Sequence, residues 1–303
     1  MAPTTLPSWR PGPTRDAIEI FLDAAEMLPI EQRVAVFDVD GTLWCERPQQ
    51  VMVEFLQAEL RRAVRADPAL AGRPEYAAAL EWDRAAIARL GPVNVVIALL
   101  ELEAGATSEA FAARVRDYFA SARHPDRGVP LSQMRYRPML ELIAELRARH
   151  FDVFVATGSG VDFVRSISHA YFGVQPEGVV GSQVGYEWSH VAGVPTLVRT
   201  KEIVGDPNEG PAKITNVQRQ LGRRPILAAG NSSGDREMLE YTHAFARPSL
   251  ALLLDHDDAD REYRYARFDA ATSDDEPIAT VAARSGWTIV SMKDDWSTVF
   301  ADT

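Results

Sequence analysis

Residues 34–44 read VAVFDVDGTLW, and the fold follows from how that stretch divides. Val34 to Phe37 form a short apolar run, the pattern of a strand buried on both faces. The run stops on Asp38 and Asp40, one residue apart, and then on Gly41-Thr42. In extended backbone alternate side chains share a side, so both carboxylates leave the strand end together, in a turn that Gly41 permits. Two like charges held side by side call for a cation.

The same grammar continues on either side. Ile18, Phe21, Leu22 and Ala25 recur at helical spacing after Thr14, as do Met139, Leu142, Ile143 and Leu146 after Pro138. Phe151 to Ala156 (FDVFVA) predicts a second strand, followed by a helix from about Val161 to Tyr171 and strand-like Val179 and Val180. A helix from Pro211 to Leu221 and strands at Ile226 to Ala229 and Leu250 to Leu254 complete the series. VGYEW and PTLVR flank Ala192-Gly193, which predicts a β-hairpin between Gln183 and Arg199, appended to the sheet. Helices alternating with buried strands predict an α/β fold with a doubly wound, Rossmann-like parallel sheet. Between Trp44 and Gln133 the pattern is helical throughout. It predicts a helical cap domain, residues 45–133, inserted after the first strand into a core built from 1–44 and 134–303. Such a cap would lie over the strand ends where open α/β sheets bind ligands.

Composition narrows the partners. Across 303 residues, 46% hydrophobic and 25% charged, the formal net charge is -11, which disfavours nucleic acid and anionic membrane as partners. The one cysteine, Cys45, cannot form an internal disulfide, and no local histidine partners it; a packed thiol beside the first motif is expected. The first residues lack the apolar core of a signal peptide and no apolar stretch is long enough to span a bilayer, so a cytoplasmic protein is expected. The sequence does not encode an oligomeric state that can be read.

The paired aspartates suit phosphoryl chemistry: one is a nucleophile that would form an aspartyl-phosphate, and its neighbour protonates the leaving oxygen and later deprotonates water. Mg²⁺ is the expected cofactor, because it favours carboxylate, carbonyl and phosphate oxygens.

At these residues the sequence resembles the haloacid dehalogenase superfamily, in its phosphatase branch, whose first motif reads DxDGT after the first strand. The other motifs follow in order: Thr157 in FVATGSG, Lys213 in NEGPAKI, and the acidic stretch GNSSGD. The resemblance implies Asp38 as nucleophile and metal ligand, and Asp40 as general acid/base that binds metal through its backbone carbonyl. It implies Thr157 and the Gly158 amide as holders of phosphate oxygens, Lys213 as the neutralising cation, and Asn231 and Asp235 as the remaining metal ligands. Asn231 stands where the family usually has Asp, which removes a charge from the metal site. A carboxyl at Asp40 argues for phosphate esters over halides, since a halide needs no proton to leave.

The insertion point resembles the phosphoserine-phosphatase-like group and implies a small phosphorylated metabolite as substrate, a phosphoserine-like one first. Thr42, Trp44, Glu46 and Arg47 follow the first motif closely enough to line the entrance, with Arg47 reading an anion and Glu46 an ammonium group, or else both in a solvated loop. A phosphotransferase of the same superfamily and a non-catalytic phosphate-binding protein are the alternatives. The stretch LLLDHDDADREYRY resembles bacterial members of this group. It begins at a strand end, so that His256, Asp258 or Arg261 could approach the site from a neighbouring loop, with structural ion pairing the expected role.

Overall fold

The computed structural model describes residues 6–244, 248–265 and 276–301. Seven strands form one sheet: β1 Val34–Phe37, β2 Asp152–Gly160, β3 Val179–Val191, β4 Val194–Val204, β5 Leu227–Gly230, β6 Leu250–Asp255 and β7 Thr288–Ser291, in the order β4-β3-β2-β1-β5-β6-β7. Neighbours pair parallel except β3 with β4. The chain builds outward from β1 through β2, β3 and β4, then restarts at β5 on the other side of β1. The order therefore reverses between β1 and β5, and the crevice beyond the carboxyl ends of strands at such a reversal is where doubly wound sheets take ligands.

Alternation within the strands explains why VAVF carries no polar residue. Ala35 and Phe37 belong to one apolar core and Val34 and Val36 to another, all fully buried, and Leu252 and Ala251 of β6 divide the same way. Helices Pro13–Ala25 and Arg137–Ala148 contribute Ile18, Leu22, Met139 and Leu142 to the first core. Pro211–Leu221, Arg236–His243 and Ile278–Ser285 contribute Val217, Leu239 and Val281 to the second. Helices thus cover both faces of the central strands, while the distal part of β3 and most of β4 stand exposed.

Among the described residues no strand lies between β1 and β2. That interval holds helices Val51–Ala66, Pro74–Glu81, Arg84–Leu90, Pro92–Glu101 and Ser108–Ser121. Asp83 and Thr107 start two of them by accepting hydrogen bonds from the amides of Ala85, Ala86 and Ala110. Phe55 meets the rings of Phe111 and Tyr118 edge-on and that of Phe163, which follows β2, at 5.4 Å, so these helices share an aromatic core with the sheet domain.

The hairpin turns at Ala192 and Gly193, both at positive φ (52° and 82°), the pairing that matches strand twist in a two-residue turn. It is longer than the sequence predicts, because β4 runs past Arg199 to Val204, which pairs with Gln183; before Gln183, β3 is a parallel partner of β2. It is also tied to the helical insertion. The Gly105 amide donates to Arg199 O and the Arg199 amide to Ala106 O, both at 2.8 Å. The Arg199 guanidinium lies 3.9 Å from the Phe111 ring centroid and pairs with Asp162.

Two other expectations change. The helix predicted near Val161 to Tyr171 is two short ones, Val161–Arg165 and Ser168–Phe172, because Ile167 between them leaves helical geometry (φ -128°, ψ -9°). The tail GWTIVSMKDDW supplies an edge strand, β7, that the sequence reading did not separate from its surroundings.

Candidate active site

The turn after β1 is fixed by backbone. The Asp38 amide donates to Ala229 O at 2.9 Å, and the amides of Thr42 and Leu43 converge on Val39 O at 3.2 and 2.9 Å. Gly41 sits at φ 78°, and a Cβ there would fall 2.0 Å from Asn231 Nδ2. Only glycine meets both demands.

Asp38 and Asp40 are both buried but differently held. Asp38 Oδ1 accepts from Lys213 Nζ at 2.8 Å and Oδ2 from Thr42 Oγ1 at 3.1 Å. Asp40 has neutral donors: Trp44 Nε1 on Oδ1 at 2.9 Å, and Ser159 Oγ and Thr157 Oγ1 on Oδ2 at 2.8 and 3.4 Å. One carboxylate is thus paired with a cation while the other keeps only dipoles, the asymmetry expected of a nucleophile beside an acid/base.

Lys213 enters from the first turn of Pro211–Leu221 and is 1% exposed. Its ammonium also donates to Asp235 Oδ1 at 2.6 Å. Asp235 Oδ2 accepts from the amides of Asn231 and Ser232 at 3.0 and 3.1 Å and from Ser232 Oγ at 3.2 Å, so this carboxylate orders the loop after β5 while it orients Lys213. Asn208, fully buried, donates from Nδ2 to Thr157 O at 3.0 Å and ties the end of β2 to the loop that precedes Lys213.

The charges do not balance locally. Burial, then the charge of Asp235, pushes the Asp38 carboxyl well above its usual range, with Glu209 adding to the rise and Lys213 opposing it. Burial also works against the Lys213 ammonium, but Asp235, Asp38 and Glu209 outweigh it and hold its pKa well above the ordinary lysine value. Glu209 stands across the opening: its two carboxylate oxygens lie 1.9 and 1.8 Å from where Cβ atoms on Gly158 and Gly234 would be, so it bridges the loops after β2 and β5. One ammonium among these carboxylates leaves an excess of negative charge.

That excess, and one orphaned atom, fit a hard divalent cation. Asn231 Oδ1 is buried without a hydrogen-bond partner, which is rare for an amide oxygen. Asp38, Asp235 and this oxygen make an all-oxygen set of the kind Mg²⁺ takes. Among the described residues no group of three or more His, Cys, Asp or Glu is assembled as a metal cluster, so the set depends on the amide of Asn231.

Residues 35–240 match the family model of the haloacid dehalogenase-like hydrolases. The chain belongs to that family. No curated protein matches it. Among solved structures, a protein of unknown function from Bordetella pertussis is similar at 16% identity and TM-score 0.53, covering 86% of this chain and 98% of its own. A functionally unknown protein from Anaerococcus prevotii is similar at 14% identity and TM-score 0.57, covering 91% and 90%. A phosphoserine phosphohydrolase-like protein from Francisella tularensis is also similar, at 15% identity and TM-score 0.40, covering 83% and 99%. At these identities the first two speak for the fold alone.

In this haloacid dehalogenase-like hydrolase, Asp38, Asp40, Thr157, Lys213, Asn231 and Asp235 meet at the ends of β1, β2 and β5. The residues expected at the entrance divide. Thr42 and Trp44 lie beneath the carboxylates: Trp44 is 1% exposed, stacks on Phe119 at 5.7 Å and orients Asp40. Glu46 is also interior, 2% exposed, where its Oε1 accepts from Asn231 Nδ2 and Tyr265 Oη, and it lines a pocket beside Arg47. Arg47 lies over the Tyr265 ring at 4.1 Å and borders this pocket, of about 160 Å³, with Glu46, Gln49, Gln50, Trp82 and Arg84. Gly158 lies under Glu209 as described.

His256 separates from its neighbours in sequence. It reaches the site, with Nε2 2.9 Å from Gly41 O, whereas Arg261 pairs with Asp258 and donates to Trp296 O, clamping the C-terminal segment. Cys45 is buried and donates to Glu262 Oε1 at 3.0 Å; burial, then the charge of Glu262, drives its pKa far up.

Sequence reasoning missed Ser159, Asn208 and Glu209. Thr157 and Ser159 alternate along one strand, so the spacing that pairs Asp38 with Asp40 would have placed Ser159 on the same side. Asn208 and Glu209 act through loop position, which periodicity does not encode.

Proposed function

We propose that this chain is a Mg²⁺-dependent phosphatase of small phosphomonoesters. The observation that carries the proposal is the Lys213 ammonium joining Asp38 to Asp235 beside the unpartnered Asn231 oxygen, at the strand-order reversal. Asp38 attacks phosphorus, the ester P–O bond breaks, and the departing alkoxide takes a proton from Asp40. Asp40 then removes a proton from the water that attacks the aspartyl-phosphate, which frees inorganic phosphate and restores Asp38. Thr157, the Gly158 amide and Lys213 hold the phosphoryl oxygens as their charge grows. Asp38, the Asp40 carbonyl, Asn231 and Asp235 would hold the cation, which when bound offsets the charge between nucleophile and phosphate.

The helices of residues 45–133 serve in this proposal as a cap that excludes water from the intermediate. The pocket lined by Arg47, Gln49, Gln50 and Arg84 also has Glu46 in its wall, but the Glu46 Oε1 is turned to Asn231 and Tyr265 while Arg47 Nε and Gln49 Nε2 are buried and unpartnered, so two arginines and these free donors suit a second anionic group on the substrate. A metabolite carrying a phosphomonoester and a carboxylate or second phosphate, phosphoserine among them, is the class to try first. No helix among the described residues is long and apolar enough to cross a membrane. The test is release of phosphate from p-nitrophenyl phosphate and from a panel of phosphorylated metabolites, with Mg²⁺ and with EDTA. Turnover that requires Mg²⁺ and favours phosphomonoesters carrying a second anionic group supports the proposal; turnover indifferent to EDTA contradicts it.

A further inference from the structure

Asn231 has two ends, and only one is accounted for. Its amide nitrogen lies 3.1 Å from Glu46 Oε1 and 3.3 Å from His256 Nε2. Gly41 O can only accept, so His256 Nε2, 2.9 Å away, carries a hydrogen toward it, and the amide hydrogen of Asn231 goes to Glu46. A carboxylate oxygen cannot donate, so this contact also fixes which way the amide is turned: nitrogen to Glu46, oxygen into the site.

Glu46 is itself held. The same oxygen accepts from Tyr265 Oη at 2.9 Å. His256 Nδ1 meets Glu262 Oε2 at 3.2 Å, and Glu262 Oε1 in turn accepts from Tyr136 Oη at 2.9 Å and from Cys45 Sγ. Glu46, His256 and Glu262 are each 2 to 3% exposed, and Tyr136 is fully buried. The Cys45–Glu46 loop and the segment after β6 thus form one buried polar network that reaches the site through Asn231. Gly41 closes the remaining space, since a Cβ there would also lie 2.7 Å from Glu46 Oε1.

We propose that Glu46 is a positioning residue for the cation. It holds Asn231 so that the amide oxygen faces the metal, and it supplies from one bond further out the negative charge that an aspartate at 231 would carry. Asn231 and Glu46 are a matched pair, in which the charge can occupy either position but not both. Aspartate at 231 would set two carboxylates against each other with no hydrogen between them. The proposal rests on the cation site described under the proposed function, and it reverses the simple expectation that Asn231→Asp improves the site.

The experiment compares wild type, Glu46→Gln, Asn231→Asp and the double variant, using Mg²⁺ alone as probe. Calorimetry gives the Mg²⁺ dissociation constant and thermal unfolding in EDTA gives the stability of the metal-free protein. Glu46→Gln is expected to weaken Mg²⁺ binding on the order of 10- to 100-fold, the usual effect of losing a residue that orients a ligand. Asn231→Asp is expected to lower the metal-free melting temperature, and the double variant to recover both that temperature and Mg²⁺ affinity. Unchanged Mg²⁺ affinity in Glu46→Gln, or a double variant as unstable as Asn231→Asp alone, overturns the pairing. Should Glu46→Gln not fold, Tyr265→Phe removes the phenolic hydrogen bond to Glu46; it is expected to weaken Mg²⁺ severalfold, and no change overturns the proposal equally. Wild type that binds Mg²⁺ yet turns over no phosphoester refutes the phosphatase reading and leaves the pairing to be judged by these binding data.

Discussion

Replacing Lys213 by Met isolates the electrostatic core of the site. The substitution nearly conserves volume and leaves the chain path alone, so little packing is lost. It removes the ammonium 2.8 Å from Asp38 Oδ1 and 2.6 Å from Asp235 Oδ1, leaving two carboxylates at 5% exposure or less facing each other. Stripping one partner from a buried ion pair costs about 3–5 kcal/mol, and here the lysine serves two acids, so the upper half of that range is expected. At about 2 °C per kcal/mol for a chain of this size, the melting temperature should fall by roughly 8–10 °C. The assay is thermal unfolding at pH 7 in EDTA, so that no cation substitutes for the lysine. Adding Asp235→Asn removes the second buried charge and should recover a good part of the loss. A Lys213→Met protein that melts within about 1 °C of wild type would refute the reasoning, because it would mean the two acids are not held as a buried charged cluster.

Three other outcomes follow from the geometry. Trp44→Phe keeps the ring packed on Phe119 but deletes the donor on Asp40 Oδ1; a hydrogen bond to a charged group contributes about 1.5–3 kcal/mol, so kcat for p-nitrophenyl phosphate should drop roughly 10- to 100-fold with little change in KM. Glu54, whose pKa burial raises from 4.5 to about 7 against the opposing hydrogen bond of Tyr118, binds its proton more tightly folded than unfolded, so its contribution is fully present below pH 4.5 and lost as pH rises through 7. Glu54→Gln should therefore raise stability by about 1–2 kcal/mol at pH 8, after discounting for partial exposure, and by almost nothing at pH 4, as read by denaturant titration at both pH values. Cys45, buried and with its pKa driven up by burial and Glu262, should resist iodoacetamide at pH 8 in the folded protein and react only on unfolding, as mass spectrometry would report.

The parts of the fold that were legible in the sequence are those with strong periodicity and a definite stop. VAVF ending on DVDGT, the helix after Pro138 and the Ala192-Gly193 turn each combine a pattern with punctuation, and each is where the sequence suggested. The edge strand Thr288–Ser291 was not legible, because one of its four residues is buried and its pattern is too short to stand apart from the tail around it. In the site, Asp38 and Asp40 were legible from their spacing at the end of a buried strand, whereas Thr157, Lys213, Asn231 and Asp235 were legible only through the resemblance of their motifs to those of the family. Glu46 was not. Its sequence context is that of a charged loop, and only the return of the chain after β6, bringing His256 and Tyr265 to Asn231, turns that loop inward. Contacts between segments so far apart leave no local signature, and the same holds for Asn208 and Glu209.

The central claim is that Asp38 becomes covalently phosphorylated, and it is tested most directly by trapping that state. Protein quenched in acid during turnover of p-nitrophenyl phosphate with Mg²⁺ would be reduced with borohydride, which converts an aspartyl-phosphate to homoserine, and digested for mass spectrometry. The account predicts homoserine at position 38 in wild type and none in Asp38→Asn or in EDTA. Phosphate release with an unmodified Asp38, or with the label on another residue, would contradict it.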